Sequence, residues 1–130
     1  MKSKVSVAAI VALWCCLPAA AADDDGITKG FGECMEKAAS VTVDMLDCID
    51  AETKVQDTRL NKAYSGLMGQ LSAERKKQLQ EAQRAWIKYR DSNCSFYMDP
   101  DGGSIATLNN QNCILNSTAS RAQELEDMSG

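Results

Sequence analysis

The stretch from residue 79 to residue 94 constrains the fold more than any other part of the sequence, because its apolar residues repeat with the period of an α-helix. Leu79, Ala82, Trp86 and Ile87 recur at steps of three and four, and charged or amide side chains fill the positions between them. The stretch contains neither glycine nor proline. It therefore predicts an amphipathic helix that packs one face against a core.

Arg90 interrupts the apolar face of this helix one turn before Cys94. The charge stands where packing is expected, and two interpretations stay open. The side chain can extend past the edge of the core to water, or its guanidinium can be half-buried and paired with an acid.

A second long helix is predicted before this one. It begins near Ser40 or Thr42 and runs to about Leu71, with apolar residues at helical spacing. Its middle, residues 52–59, has few large apolar side chains. We expect that middle part to be where polar side chains of neighbouring elements meet.

Ser72 is the predicted N-cap of the helix that contains residues 79–94. This helix is expected to run from about Ala73 to Tyr97. Because the connection at Ser72 is so short, the two helices should be antiparallel.

Residues 99–104, with the sequence Asp-Pro-Asp-Gly-Gly-Ser, are the strongest turn signal in the chain. Proline fixes φ, aspartate bonds to its own backbone, and the two glycines permit a positive φ. Ser104 is the predicted cap of a last helix, which carries apolar residues at helical spacing from Ile105 to Met128. No segment alternates as a strand would. The predicted fold class is all-α, a small antiparallel three-helix domain, or a four-helix one if residues 33–39 form a short additional helix.

The first 22 residues have the three parts of a cleavable signal peptide. Two lysines precede an apolar run of about a dozen residues, and four alanines end it, so cleavage is expected after Ala22. The run is too short for a transmembrane helix. Residues 23–130 would then form the domain, residues 23–33 being a mobile lead-in. We expect a periplasmic or secreted protein without membrane attachment.

Removal of the signal peptide makes the chain more acidic. Two lysines leave with it, and the remaining 12 basic and 18 acidic residues give a net charge of −6. Nucleic acid is a poor partner for such a chain, because phosphates require a basic footprint. A basic protein partner suits it better.

Four cysteines remain after export, namely Cys34, Cys48, Cys94 and Cys113. An even number in an exported chain predicts two disulfides. The pairing stays open among three connectivities: the sequential one closes two short loops but needs the second long helix to end early, and Cys48–Cys94 with Cys34–Cys113 is an alternative. The sequence lacks histidine and any C-x2-C pair, so neither a metal nor a cofactor is predicted.

Counting outward from the two predicted turns places Glu52, Arg90 and Asn112 at one level of the bundle. We therefore hypothesise a structural polar layer of these three side chains, held by an ion pair between Arg90 and Glu52.

An ordered set of short motifs covers nearly all of the exported chain. The pieces are Cys34, Thr42-x-x-Met45-x-x-Cys48-x-x-x-Glu52, Leu60-Asn61-x-x-Tyr64, Leu79-x-x-Ala82-Gln83-Arg84-Ala85-Trp86-x-x-Tyr89-Arg90-Asp91-x-x-Cys94, Gly102-Gly103-Ser104, Cys113 and Thr118-x-x-Arg121. In this order they resemble the N-terminal domain of the LprI-type lysozyme inhibitor family. The resemblance implies a small exported helical domain of bacteria with disulfides and a lysozyme as partner. It supplies no set of inhibitory residues.

The leading functional hypothesis is a non-enzymatic inhibitor that binds a basic lysozyme (muramidase). Asp99, Asp101 and Ser104, on a turn shaped by proline and glycine, form the candidate partner-binding loop. The alternative is a periplasmic interaction or envelope-stress module that does not inhibit lysozyme. An exposed apolar patch would indicate it, with Tyr64, Met68 and Met98 as candidate members. Catalysis is not predicted, because histidine and a free cysteine are lacking and no serine stands in a nucleophile-elbow context.

Overall fold

A computed structural model describes residues 26–130, which form four helices joined by short connections. They are α1 (Lys29–Ala38), α2 (Thr42–Gln70), α3 (Ala73–Ser95) and α4 (Gly103–Ser129). No strand occurs between residues 26 and 130, so the all-α prediction is confirmed, with α1 as the short additional helix. The predicted signal peptide and the first residues of the predicted lead-in lie outside the described residues.

Helices α2 and α4 pack side by side in the same direction and build most of the core. Near their first turns, Ile49 of α2 packs with Leu108 and Leu115 of α4. Further along the pair, Leu60 and Leu67 of α2 pack with Leu125 of α4. The buried apolar side chains therefore form two clusters along one parallel helix pair.

Helix α3 runs antiparallel to α4, on which it packs. Leu79 at its start belongs to the cluster that contains Leu125, whereas Cys94 at its end is bonded to Cys113, nearer the start of α4. The backbone of α3 approaches that of α4 more extensively than that of α2. Ile87, in the middle of α3, is 41% exposed. The amphipathic face predicted for this helix is thus only partly covered.

Of the two N-caps predicted from the sequence, the structure shows the one of α3 but not the one of α4. The Oγ atom of Ser72 accepts a hydrogen bond from the amide of Arg75 at 3.4 Å, which confirms Ser72 as the N-cap of α3. The prediction that Ser104 caps α4 is wrong, since the cap residue is Gly102 and no side chain caps this helix end. The helix begins two residues earlier than predicted, at Gly103, whose positive φ of 56° is a conformation that glycine adopts without strain.

The segment before residue 33, predicted as a mobile lead-in, is ordered from Gly26 onward. Thr28 is the N-cap of α1, and its side chain accepts a hydrogen bond from the amide of Phe31. Phe31 packs against the core cluster around Ile49. The carbonyl of Gly26 accepts a hydrogen bond from Gln56 of α2 at 2.7 Å. These contacts fix the segment, and of them the sequence indicated only the anchoring by Phe31.

Among the described residues, no helix combines the length and the apolar character that crossing a membrane requires.

Candidate functional site

Two disulfides with sequential pairing link consecutive helices. Cys34–Cys48 joins α1 to α2 with a Cα–Cα distance of 5.8 Å, and Cys94–Cys113 joins the end of α3 to α4 with a Cα–Cα distance of 5.4 Å. Because α3 ends at Ser95, two residues before the predicted end, the loop that follows is long enough to bring Cys94 level with Cys113. Of the connectivities that the sequence left open, the structure has this one.

The hypothesised ion pair between Arg90 and Glu52 does not form, because Glu52 has other partners. Its Oε1 atom accepts hydrogen bonds from the amide of Thr28 at 2.9 Å and from Nε2 of Gln56 at 2.7 Å. Its Oε2 atom accepts a hydrogen bond from the hydroxyl of Thr28 at 2.6 Å. The buried carboxylate therefore ties Thr28, just before α1, to α2.

The pKa of Glu52 reflects a balance of two opposing effects. Burial raises the pKa of a carboxyl group, because the charged form loses its water. The hydrogen bonds from the Thr28 hydroxyl, the Thr28 amide and Gln56 lower it, and together they hold the pKa below its ordinary value of 4.5. Glu52 is thus a carboxylate at neutral pH, although its residue is only 4% exposed.

Arg90 lies half-buried and points toward α4 rather than toward Glu52. It donates to Oδ1 of the neighbouring Asp91 at 2.9 and 2.8 Å and to the hydroxyl of Thr118 at 3.4 Å. Its guanidinium also stands over the ring of Trp86, 5.1 Å from the centroid. Asn112, the third member of the hypothesised layer, is half-buried on α4 and hydrogen-bonds to neither Glu52 nor Arg90. The hypothesis compared only the distances of the three residues from the two turns. Such distances do not determine which neighbouring helix a side chain faces.

Arg121 is a buried charged residue of α4 for which the sequence predicted no structural role. It is 7% exposed, its Nε atom donates to Oε1 of the buried Gln83 at 3.0 Å, and its guanidinium lies 5.9 Å from the centroid of Trp86. Trp86 is therefore in contact with two guanidinium groups, those of Arg90 and Arg121. The motifs that carry the family resemblance contain Gln83, Trp86, Arg90 and Arg121, and so marked these four residues in the sequence.

The α3–α4 loop, residues 96–102, is a compact exposed turn held by its own hydrogen bonds. The amide of Asp101 donates to Oδ1 of Asp99 at 2.9 Å, and the amide of Gly102 donates to the carbonyl of Asp99 at 3.0 Å. A Cβ atom at Gly102 would lie 2.8 Å from that of Ala106, so only glycine fits there. Cys94–Cys113 closes the base of the loop, and the buried Asn110 donates to the carbonyl of Cys94 at 2.9 Å.

Large apolar side chains on and beside the α3–α4 loop face solvent. Phe96 is 87% exposed, and Tyr97, Met98 and Ile105 are about half exposed (46%, 49% and 59%). Asp99 and Asp101 are exposed among them, and Ser104 lies on the adjacent first turn of α4. The three predicted loop residues thus lie beside an exposed apolar patch, of which only Met98 was predicted from the sequence. Of the side chains predicted for the alternative function, Tyr64 and Met68 pack on the core, and Met98 belongs to this patch.

A second concave surface, which we call the α2–α3 cleft, separates the middles of α2 and α3. Its volume is about 390 Å³. Most of its lining residues belong to the motifs that carry the family resemblance; the lining consists of Asp57, Leu60, Asn61, Tyr64, Gln80, Gln83, Arg84, Trp86, Ile87 and Arg90. Across residues 26–130, no group of three or more histidine, cysteine, aspartate or glutamate side chains is arranged to hold a metal ion.

Comparison with known proteins gives a family match. The model of the family described as "Lysozyme inhibitor LprI" matches residues 34–125. A protein from Rhizobium meliloti (strain 1021), "Uncharacterized protein R02472", is 29% identical over 100 residues, which cover 66% of this chain and 72% of that protein. No solved structure matches the chain significantly.

Proposed function

The chain belongs to the LprI family of lysozyme inhibitors, and on this basis we propose that it is exported and inhibits a lysozyme by binding it through the α3–α4 loop. The family is one of inhibitors rather than enzymes. Two disulfides within 130 residues are typical of proteins that fold outside the reducing cytoplasm.

The choice of the α3–α4 loop as the binding surface rests on the exposure of Phe96, whose loop is held in a fixed shape. Exposed aromatic side chains are over-represented among the residues that dominate protein–protein binding energy. Tyr97 and Met98 extend the same patch. Because Cys94–Cys113 and the internal hydrogen bonds of the loop hold its shape, little conformational entropy is lost when a partner binds.

Electrostatics favour a basic partner for this surface. Asp99 and Asp101 are exposed at the tip of the loop, within a chain whose charge would be −6 after removal of the predicted signal peptide. A basic lysozyme is attracted to such a surface over a distance of about 10 Å at moderate salt. This attraction raises the association rate more than it slows dissociation.

The test is inhibition of a basic c-type lysozyme by the purified exported protein, measured as the rate of cell-wall lysis. The double variant Asp99→Asn/Asp101→Asn should weaken inhibition about tenfold at low salt, and less at high salt. The matched control is Glu74→Gln/Glu81→Gln, which removes the same charge from exposed positions roughly 20–30 Å away along α3.

Two results would contradict the proposal. Absence of inhibition by the unaltered protein at micromolar excess would reject lysozyme as the partner and favour the alternative of an envelope interaction module. Equal weakening by the loop variant and the control would reject the α3–α4 loop as the binding surface and leave only the effect of net charge.

A further inference from the structure

The α2–α3 cleft lies on a different part of the molecule from the α3–α4 loop, about halfway along α3. Its lining combines three apolar side chains, those of Leu60, Trp86 and Ile87, with polar side chains of both helices. With about 390 Å³, it falls in the size range of small-ligand pockets.

Three polar side chains that line the cleft make no hydrogen bond to another protein group. The hydroxyl of the half-buried Tyr64 and the exposed side chains of Gln80 and Arg84 have no hydrogen-bond partner among residues 26–130. By contrast, Asn61 and Asp57 are joined to each other at 3.2 Å. A ligand that enters the cleft therefore meets donors and acceptors that no protein group occupies.

The wall of the cleft is held in place before any ligand arrives. Trp86 is in contact with the guanidinium groups of Arg90 and Arg121, and Arg121 is itself fixed by Gln83. Each of these cation–π contacts restricts the indole ring. A preformed wall lowers the entropic cost of binding.

From this arrangement we propose that the α2–α3 cleft binds a short oligosaccharide. A sugar ring has apolar C–H faces and a periphery of hydroxyl groups that both donate and accept hydrogen bonds. The lining of the cleft offers both features. Leu60, Trp86 and Ile87 supply apolar surface, Tyr64 and Gln80 can donate and accept hydrogen bonds, and Arg84 can donate them.

Other classes of ligand fit the cleft less well. The carboxylate of Asp57 opposes an inorganic anion, and Arg90 is already neutralised by Asp91. A purely apolar ligand would displace water from the polar lining residues without replacing their hydrogen bonds. An N-acetylated sugar is the preferred probe, because its amide group can pair with the amide of Gln80.

Fluorescence of Trp86 provides a direct readout of binding. The sequence contains only one other tryptophan, Trp14, so Trp14→Phe leaves Trp86 as the sole indole of the full chain. In this background we would titrate tri-N-acetylchitotriose and, separately, a glucose trisaccharide and inorganic phosphate. The expected result is a saturable change in Trp86 emission with either saccharide, confirmed by calorimetry, and none with phosphate.

Substitution of Arg84 tests the location of the site. Arg84→Ala should raise the dissociation constant about tenfold, as expected for loss of one hydrogen bond from a charged donor. The control, Lys88→Ala, removes a basic side chain one turn further along α3 that does not line the cleft, and should leave the constant unchanged. Circular dichroism would verify that both variants fold.

The proposal does not depend on lysozyme inhibition, since no lysozyme is present in the titration. It would be overturned if neither saccharide binds at millimolar concentration, if phosphate binds as well as the saccharides, or if Arg84→Ala and Lys88→Ala have the same effect.

Discussion

Replacement of Glu52 by glutamine should destabilise the domain, because Glu52 ties the start of the described chain to α2. Its carboxylate accepts three hydrogen bonds, two from Thr28 and one from Gln56. In Glu52→Gln the oxygen atom can keep the two bonds from the Thr28 amide and Gln56, and the Thr28 hydroxyl can rotate to accept from the new amide. The substitution thus keeps the shape and removes the charge.

The expected cost follows from the strength of charged and neutral hydrogen bonds. A hydrogen bond to a charged group contributes about 1 kcal/mol more than a neutral one, so three of them set an upper limit of about 3 kcal/mol. Because the neutral amide is also cheaper to bury, we expect a net loss of about 2 kcal/mol in the free energy of unfolding. With a urea m-value of about 2 kcal/mol/M, the unfolding midpoint should fall by about 1 M.

The pH dependence separates the charge from other effects of the substitution. Since hydrogen bonding holds the pKa of Glu52 below 4.5 in the folded state, its contribution to stability is fully present above that pH. It is lost as the pH falls through the lower folded-state pKa. The difference between wild type and Glu52→Gln, measured by urea unfolding at several pH values, should therefore shrink below pH 4.5. Glu81→Gln, at an exposed position, is the control and should change stability by less than about 0.5 kcal/mol.

Two results would refute this reasoning. Equal stability of Glu52→Gln and wild type at pH 7 would mean that the hydrogen bonds to Thr28 and Gln56 do not stabilise the fold. A difference that stays constant down to pH 2 would mean that the charge of Glu52 is not its cause.

Three further predictions concern the loop and the buried arginine. Cys94→Ser/Cys113→Ser opens a covalent loop with a sequence separation of 19, and should therefore lower the free energy of unfolding by about 3 kcal/mol. It should also speed hydrogen exchange in residues 96–102. Unchanged exchange would contradict a role of the disulfide in fixing the loop. Arg121→Ala should lower the free energy of unfolding, measured in urea, by about 2 kcal/mol. It should also shift Trp86 emission to longer wavelength, because water then reaches the ring. An unshifted spectrum would contradict the contact between Arg121 and Trp86. Phe96→Ala should change the free energy of unfolding by less than about 0.5 kcal/mol, because the side chain is 87% exposed. It should nevertheless weaken lysozyme inhibition at least tenfold. A loss of stability without a loss of inhibition would contradict the role of Phe96 in binding.

The extents of the long helices could be predicted from sequence because their signals are local. Apolar periodicity and the Ser72 cap place α2 and α3 within one or two residues of their observed bounds. The polar middle of α2 was also predicted, and Gln56 and Arg59 there bond to each other and, through Arg59, to α4. These features depend on residues close together in the chain or on composition alone.

The partners of individual polar side chains could not be predicted, because periodicity does not determine which helix faces which. Level counting paired Glu52 with Arg90, whereas the carboxylate bonds to Thr28, 24 residues earlier, in a segment without an apolar pattern. The α3–α4 loop illustrates the same limit. Its turn was evident from proline and glycine, but the exposure of Phe96 follows from the early end of α3, which the sequence does not mark.

Hydrogen exchange of the protein with and without a basic c-type lysozyme tests the central claim most directly. If the α3–α4 loop is the inhibitory surface, an excess of lysozyme should slow exchange in residues 96–105 and leave the middles of α2 and α3 unchanged. Slower exchange confined to another surface, or no change at any residue at micromolar concentrations, would contradict the account.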